Sequence, residues 1–170
     1  MRLPGGRLRN RRFGRGAALL YGRYSLRDTA SAMLQENVEI VRALAESFQR
    51  RDHERAFAFY DPEIEWDASR CADVIPDIAG VYRGHDGVRA YWRQFLSAWN
   101  DLVFEIDAVR DAGDDVVLLI RNQHQWGRHS EIATDFPSMA MVFTFRGGKV
   151  VRVCTYTDHD AALEAAGLSE

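Results

Sequence analysis

From Asp101 to Asp158 the chain alternates apolar and polar residues in four runs separated by short turns. That period of two predicts four long β-strands. The turns fall at Ala112-Gly113-Asp114, Gly127-Arg128-His129 and Arg146-Gly147-Gly148-Lys149. Gly147-Gly148 is the strongest hairpin signal, because a type I′ turn needs positive φ at both central residues. The second run begins apolar, Val116-Val117-Leu118-Leu119-Ile120, and ends mixed, Arg121-Asn122-Gln123-His124-Gln125-Trp126. Alternation places Leu118, Ile120, Asn122, His124 and Trp126 on one face, with Val117, Leu119, Arg121, Gln123 and Gln125 on the other. Further along, Met139, Met141, Phe143 and Phe145 share a face. On the last run Val151, Val153, Thr155 and Thr157 oppose Arg152, Cys154, Tyr156 and Asp158.

Upstream the period changes. Leu34, Val38, Val41, Leu44, Ala45 and Phe48 recur at helical spacing, with Glu36 and Glu39 early and Arg50 and Arg51 late, so an amphipathic helix is expected. Asp52 is placed to cap a second, shorter helix through Tyr60, which Asp61-Pro62 ends. Glu63 to Ala68 alternates as a short strand carrying Ile64 and Trp66 on one face. After a loop with Cys71, Pro76 and Gly80, a third helix opens at Gly84-His85-Asp86-Gly87. Its stripe of Val88, Trp92, Phe95 and Trp99 suits a sheet-covering face. Asp160 to Gly167 reads as a short terminal helix. The order predicts an α+β domain, its helices gathered against one face of a curved antiparallel sheet.

At 170 residues, with 46% hydrophobic and 28% charged residues, the chain has the size and composition of one globular domain. A net charge of −3 gives no field that favours nucleic acid or membrane, and no apolar run approaches a membrane span. Charge is uneven, however. Residues 1–32 hold eight Arg against one acid, Asp28, while the remainder carries 14 basic and 24 acidic residues, a balance of −10. This Gly- and Arg-rich head is expected to be disordered. It reads as an over-extended start with Met33 the true first residue, as a transit peptide or as an RNA-binding arm, and the folded domain is expected over 33–170. The two cysteines, Cys71 and Cys154, lack metal-like spacing, which suits a reduced, cytoplasmic protein. His53, His85, His129 and His159 fall at turns or helix starts and form no metal set. Neither a metal nor a cofactor is expected.

A strand face that carries Ile120 and Trp126 beside Asn122 and His124 suits a pocket wall that is mostly dry, with a few polar groups. His124 is the candidate general base or acid, with Asn122 orienting substrate or water and Thr155 helping to position it. Each also has a structural reading, as a hydrogen-bonded histidine or a buried amide link. Trp66, Trp92 and Trp126 either line a cavity or fill it. Tyr60 offers a hydroxyl near Trp66, and Met139 and Met141 offer an adaptable wall. No phosphate-binding loop and no nucleophile elbow is present.

Several local phrases, in order, resemble the nuclear transport factor 2-like (NTF2-like, cystatin-like) superfamily, and within it the SnoaL-like proteins. They are Glu36-Asn37-Val38-Glu39-Ile40-Val41, Asp61-Pro62-Glu63-Ile64-Glu65-Trp66 and Tyr82-Arg83-Gly84-His85-Asp86-Gly87-Val88. Ala112-Gly113-Asp114-Asp115, Gly148-Lys149-Val150-Val151-Arg152 and the ending Ala161 to Leu168 complete the set. The resemblance implies a cone-shaped half-barrel closed by three helices around a pocket, with a convex sheet face that often supports homodimers. Its inward set takes in Ile64, Trp66, Leu118, Ile120, Asn122, His124, Trp126, Met139, Met141, Phe143, Val153, Thr155 and Thr157. The base and oxyanion donors of a ketosteroid isomerase correspond to Trp66, Leu44 and Met141, which cannot do that work. The polar set of a limonene epoxide hydrolase corresponds to Asn122, His124 and Thr155, without the carboxylates. A scytalone dehydratase-like site finds only its histidine type.

The resemblance therefore implies a pocket for a small, mostly apolar molecule. Three functions stay open: a cofactor-free isomerase, cyclase or hydrolase using acid/base chemistry; a non-catalytic ligand-binding module; and a dimerisation module with its pocket plugged by tryptophan. The ligand-binding set is Tyr60, Trp66, Trp92, Ile120, Trp126, Met139, Met141, Phe143 and Thr155. Partners are expected to be that molecule and a second copy of the chain, with no nucleic acid and no membrane.

Overall fold

The computed structural model describes the backbone of residues 26–127 and 133–168, and the side chains of residues 31–97, 103–121 and 138–168. Its helices are α1 (Leu26–Gln49), α2 (His53–Phe57), α3 (Gly84–Ala98) and α4 (His159–Ala165). Its strands are β1 (Tyr60–Asp67), β2 (Val81–Arg83), β3 (Trp99–Ala112), β4 (Asp115–Gly127), β5 (Ala133–Arg146) and β6 (Lys149–Tyr156). They form a six-stranded sheet in the order β2-β1-β6-β5-β4-β3.

The boundary expected at Met33 falls inside α1, which begins at Leu26; the Ala- and Arg-containing residues 26–32 continue the helix backwards. Residues 1–25 of the expected head lie outside the described residues. Asp52 caps α2, its carboxylate accepting from the Arg55 N–H at 3.3 Å. The helix is shorter than expected, and β1 starts at Tyr60. Pro62 sits within β1 where the β1–β6 register skips between Tyr60 and Glu65, the kind of irregularity a residue without an N–H requires. β2, only three residues long, was hidden in what read as loop. It pairs antiparallel with β1, whereas β1 and β6 run parallel, the one parallel pair among the described strands of a sheet expected to be antiparallel.

The turn at Gly147-Gly148 has φ of 59° and 74°, as a type I′ hairpin demands. Register slips along β3–β4, and again between Thr144 and Phe145 on the β5–β6 pair, curl the sheet without closing it. The second slip leaves one extra residue on β6, so Val150, not Val151, joins the core beside Val153. By contrast, β4 and β5 keep one register throughout.

The strand faces divide as alternation requires. Val116, Leu118, Ile120, Met139 and Phe143 pack with α1, α2 and α3 in the main core. Val117, Leu119, Ala140, Val142, Cys154 and Tyr156 form a second apolar layer on the opposite face, where Ala162 and Leu163 of α4 cover it. α4 therefore lies across the sheet from the other three helices. Asp158 caps it, accepting from the Ala161 N–H at 2.9 Å. The next residue, His159, places Nε2 2.8 Å from the Ile120 carbonyl and 3.0 Å from that of Met139. Carbonyl oxygens only accept, so this nitrogen carries a proton and ties α4 to β4 and β5.

Candidate functional site

Beneath α1 and α3 the concave sheet face does not fill. A cavity of about 40 Å³ remains, walled by Leu44, Ala45 and Phe48 of α1, Tyr91, Trp92 and Phe95 of α3, and Ile75 of the loop. The sheet supplies Trp66, Phe104, Leu118, Ile120, Met139, Met141, Phe143 and Thr155. Register explains the sheet wall. Trp66 pairs with Val153, and Thr155 lies two residues further on the same face. Thr155 pairs with Met141, and Met141 with Leu118, so one row of side chains crosses three strands. Trp92 reaches the cavity from the other side because α3 sits close to β2. At Gly87 a Cβ would lie 3.3 Å from the Tyr82 carbonyl carbon, so a larger residue would push the helix away.

Aromatic rings dominate the walls. Trp66 and Trp92 meet edge to face with centroids 5.1 Å apart, Tyr91 lies 5.3 Å from Trp66 and 5.0 Å from Trp92, and Phe48 lies 4.3 Å from Trp92. Two polar atoms of the described lining residues, Trp92 Nε1 and Thr155 Oγ1, have no hydrogen-bond partner. The Trp66 indole N–H faces the Tyr91 hydroxyl and donates to it in a contact looser than an ordinary hydrogen bond. Burial, more than the nearby Cys71, raises the Tyr91 phenol far above its ordinary pKa, so it stays protonated at any physiological pH. Burial likewise pushes the Cys71 thiol up to about 11, and its Sγ lies 3.7 Å from the Thr155 carbonyl. It is no thiolate nucleophile.

Among the described lining residues there is no carboxylate, imidazole, ammonium or guanidinium. Among the described residues generally, no group of three or more His, Cys, Asp or Glu is placed to hold a metal ion. No described helix is long and apolar enough to cross a membrane.

Of the residues expected at the pocket, Trp66, Trp92, Ile120, Met139, Met141, Phe143 and Thr155 all line this cavity. Tyr60 does not. It is buried with its ring 6.3 Å from Trp66 and 5.5 Å from Phe57, and its hydroxyl has no partner there. Asn122, His124 and Trp126 lie on β4, with His124 paired to Val103 and Asp135, but their side chains lie outside the described residues. Sequence reasoning passed over Ile75, Tyr91 and Phe104, and read Ala45 and Phe48 only as the apolar face of α1. Tyr91 stands three residues after Val88, a helical neighbour that the i, i+4, i+7 stripe left out.

With this geometry in view, the comparisons are informative about fold. The model of the SnoaL-like domain family matches residues 41–153. An NTF2-like protein of unknown function from Burkholderia pseudomallei superposes with a TM-score of 0.64 at 21% identity, over 76% of this chain and 95% of that one. An NTF2-like protein from Burkholderia thailandensis gives 0.62 at 26% identity, over 78% and 95%. A protein assigned as a SnoaL-like polyketide cyclase, from Shewanella putrefaciens, gives 0.58 at 14% identity, over 72% and 88%. A search of curated proteins found no match. The matched region spans both helical walls and most of the sheet, and the chain belongs to the SnoaL-like domain family, with an NTF2-like fold.

Proposed function

We propose that this SnoaL-like protein binds a small, mostly apolar molecule in the cavity under α1 and α3. The observation that carries this is a void bounded by large aromatic and aliphatic side chains from both helices and four strands, where a core would ordinarily close. Its size sets the scale of the ligand. About 40 Å³ is well below the ~150 Å³ apolar cavity that admits benzene. A ring-sized guest therefore requires the flexible Met139 and Met141 side chains to yield.

Two outcomes for the guest follow. In the first it is converted by cofactor-free acid/base chemistry, as an isomerase, cyclase or hydrolase, with His124 as the proton-transfer group and Asn122 beside it in sequence alternation. Support for conversion comes from the fold, which the polyketide cyclase of Shewanella putrefaciens shares. In the second the guest is only held. Support for holding comes from the described wall itself, where the one titratable group, Tyr91, is kept neutral by burial.

Thermal denaturation of the full chain against a panel of small neutral compounds tests the binding proposal. A ligand at a hundredfold its Kd adds about 2.7 kcal/mol to stability. Ala45→Phe, which fills the cavity from α1, is expected to abolish the shift. No shift with any compound, or an equal shift in the filled variant, contradicts the proposal. Recovery of the bound compound changed or unchanged separates conversion from holding.

A further inference from the structure

Resting on that binding proposal, we infer that Ile75 is the gate of the cavity and sets the size of the molecule it admits. A guest arriving from water has to pass a side chain that can turn out into water. Of the described lining residues, four are only partly buried: Phe48, Ile75, Phe104 and Met141. Phe48 lies in the last turn of α1, its ring 4.3 Å from that of Trp92 and 5.3 Å from that of His53. Phe104 and Met141 lie on β3 and β5, and both strands pair with β4. Ile75 alone of the four stands on a surface loop, between β1 and β2.

That loop holds the Ile75 backbone still and leaves its side chain at the boundary. The loop's ends meet where the Ala68 N–H donates to the Gly80 carbonyl at 2.8 Å, a compact closure common in functional loops. The Ile75 N–H donates to the Cys71 carbonyl at 2.8 Å, and the Ile75 carbonyl accepts from the N–H groups of Ile78 and Ala79 at 3.2 and 3.1 Å. Cys71 and Ile78 are themselves buried, and the Tyr82 hydroxyl donates to the Ile78 carbonyl at 2.9 Å. From α3 the Gln94 side-chain amide donates to the Asp77 carbonyl at 3.0 Å. The frame is therefore pinned on both sides of Ile75.

Around this fixed point the neighbours face solvent: Ala72, Asp73, Val74, Pro76 and Asp77 are exposed. Within residues 72–77, Ile75 is the one that reaches the cavity wall. Rotation about its Cα–Cβ bond exchanges a place in that wall for a place among exposed neighbours, with no movement of the backbone. The branched Cβ makes the gate stiff, because few rotamers are open to isoleucine. Met139 and Met141 then reshape the interior around a guest that has already passed. Size selection falls to Ile75.

Fluorine NMR titrations of the full chain with fluorobenzene and with 1-fluoronaphthalene test the inference, since their line shapes report affinity and exchange rate together. Ile75→Ala is expected to raise the fluorobenzene association rate at least about threefold, and to favour the larger compound about tenfold more than the unaltered chain does. Ile75→Phe is expected to slow association and to move the preference towards the smaller compound. Each variant is checked for folding by near-ultraviolet circular dichroism. Fluorobenzene binding at the same association rate in all three proteins overturns the inference and leaves the binding proposal standing. A changed affinity at an unchanged rate overturns it too, and makes Ile75 a wall residue only. Binding of neither compound to any of the three proteins overturns both.

Discussion

Trp66 and Trp92 meet edge to face, with ring centroids 5.1 Å apart and planes at 77°; the Trp66 N–H faces the Tyr91 hydroxyl, while the Trp92 N–H has no hydrogen-bond partner. The two rings are thus located chiefly by packing. Such a contact contributes about 0.5–1.5 kcal/mol beyond the area it buries.

Trp66 is fully buried between Tyr60, Tyr91 and Trp92. Trp66→Ala is expected to cost about 3–5 kcal/mol, because the surrounding rings cannot collapse into the space it leaves. Urea denaturation followed by far-ultraviolet circular dichroism measures it. A loss under about 1 kcal/mol would mean the site is less tightly packed than described.

Thr155 makes the opposite prediction. Its hydroxyl is buried and unpartnered, so Thr155→Val removes a desolvation cost without changing shape. Stability is expected to rise by about 1 kcal/mol. Equilibrium unfolding of the two proteins reads the effect.

The sheet was legible because alternation survives wherever one face is dry. The split of Leu118 and Ile120 from Val117 and Leu119 on β4 is a direct projection of period two, and Gly147-Gly148 announced its own turn. Where alternation fails, so did reading. The bulge on β6 exchanged Val150 for Val151, and a strand as short as Val81–Arg83 carries too few residues to show a period. α4 was seen as a helix, but its side of the sheet follows from the Asp158 cap and the His159 tie, which are tertiary. Most of the expected cavity wall lines the void, because apolar residues on one face of a curled sheet have nowhere else to converge. Tyr60 was misplaced because it begins a strand instead of ending a helix. Whether an indole N–H finds a partner depends on neighbours from other elements, so the unpaired Trp92 donor was invisible to any local pattern.

His53 links stability to pH. Its Nδ1 is buried without a partner, and burial lowers its pKa below 6.5, with Asp52 pulling it up and Arg51 pushing it down. As pH falls through 6.5, the unfolded chain takes up a proton that the folded chain resists. Stability is therefore lost from 6.5 downwards, towards the lowered folded value. His53→Gln is expected to flatten unfolding free energy across pH ~5–7.5; an unchanged slope contradicts the assignment. Asp67 acts in a separate, more acid window. Burial alone would raise its pKa, but hydrogen bonds from Ser69 and the Arg152 charge hold it below 3.8. Its contribution is present above that value and is lost as pH falls through the lowered pKa.

Asp158 anchors α4 over the second apolar layer. Asp158→Ala removes the bond to the Ala161 N–H and is expected to cost about 1 kcal/mol. Hydrogen exchange should show the loss concentrated in residues 159–165 and in the β4–β5 ladder that His159 joins.

Two-dimensional proton–nitrogen NMR of the indole N–H groups tests the central claim most directly, with the Trp66 and Trp92 signals assigned through Trp66→Phe and Trp92→Phe. On titration with a small neutral compound that raises the melting temperature, both signals are expected to move together and saturate at the affinity seen from the ligand's own resonances. Fixed indole signals while the compound binds elsewhere, or no binding at all, would contradict a ligand site between α1, α3 and the sheet.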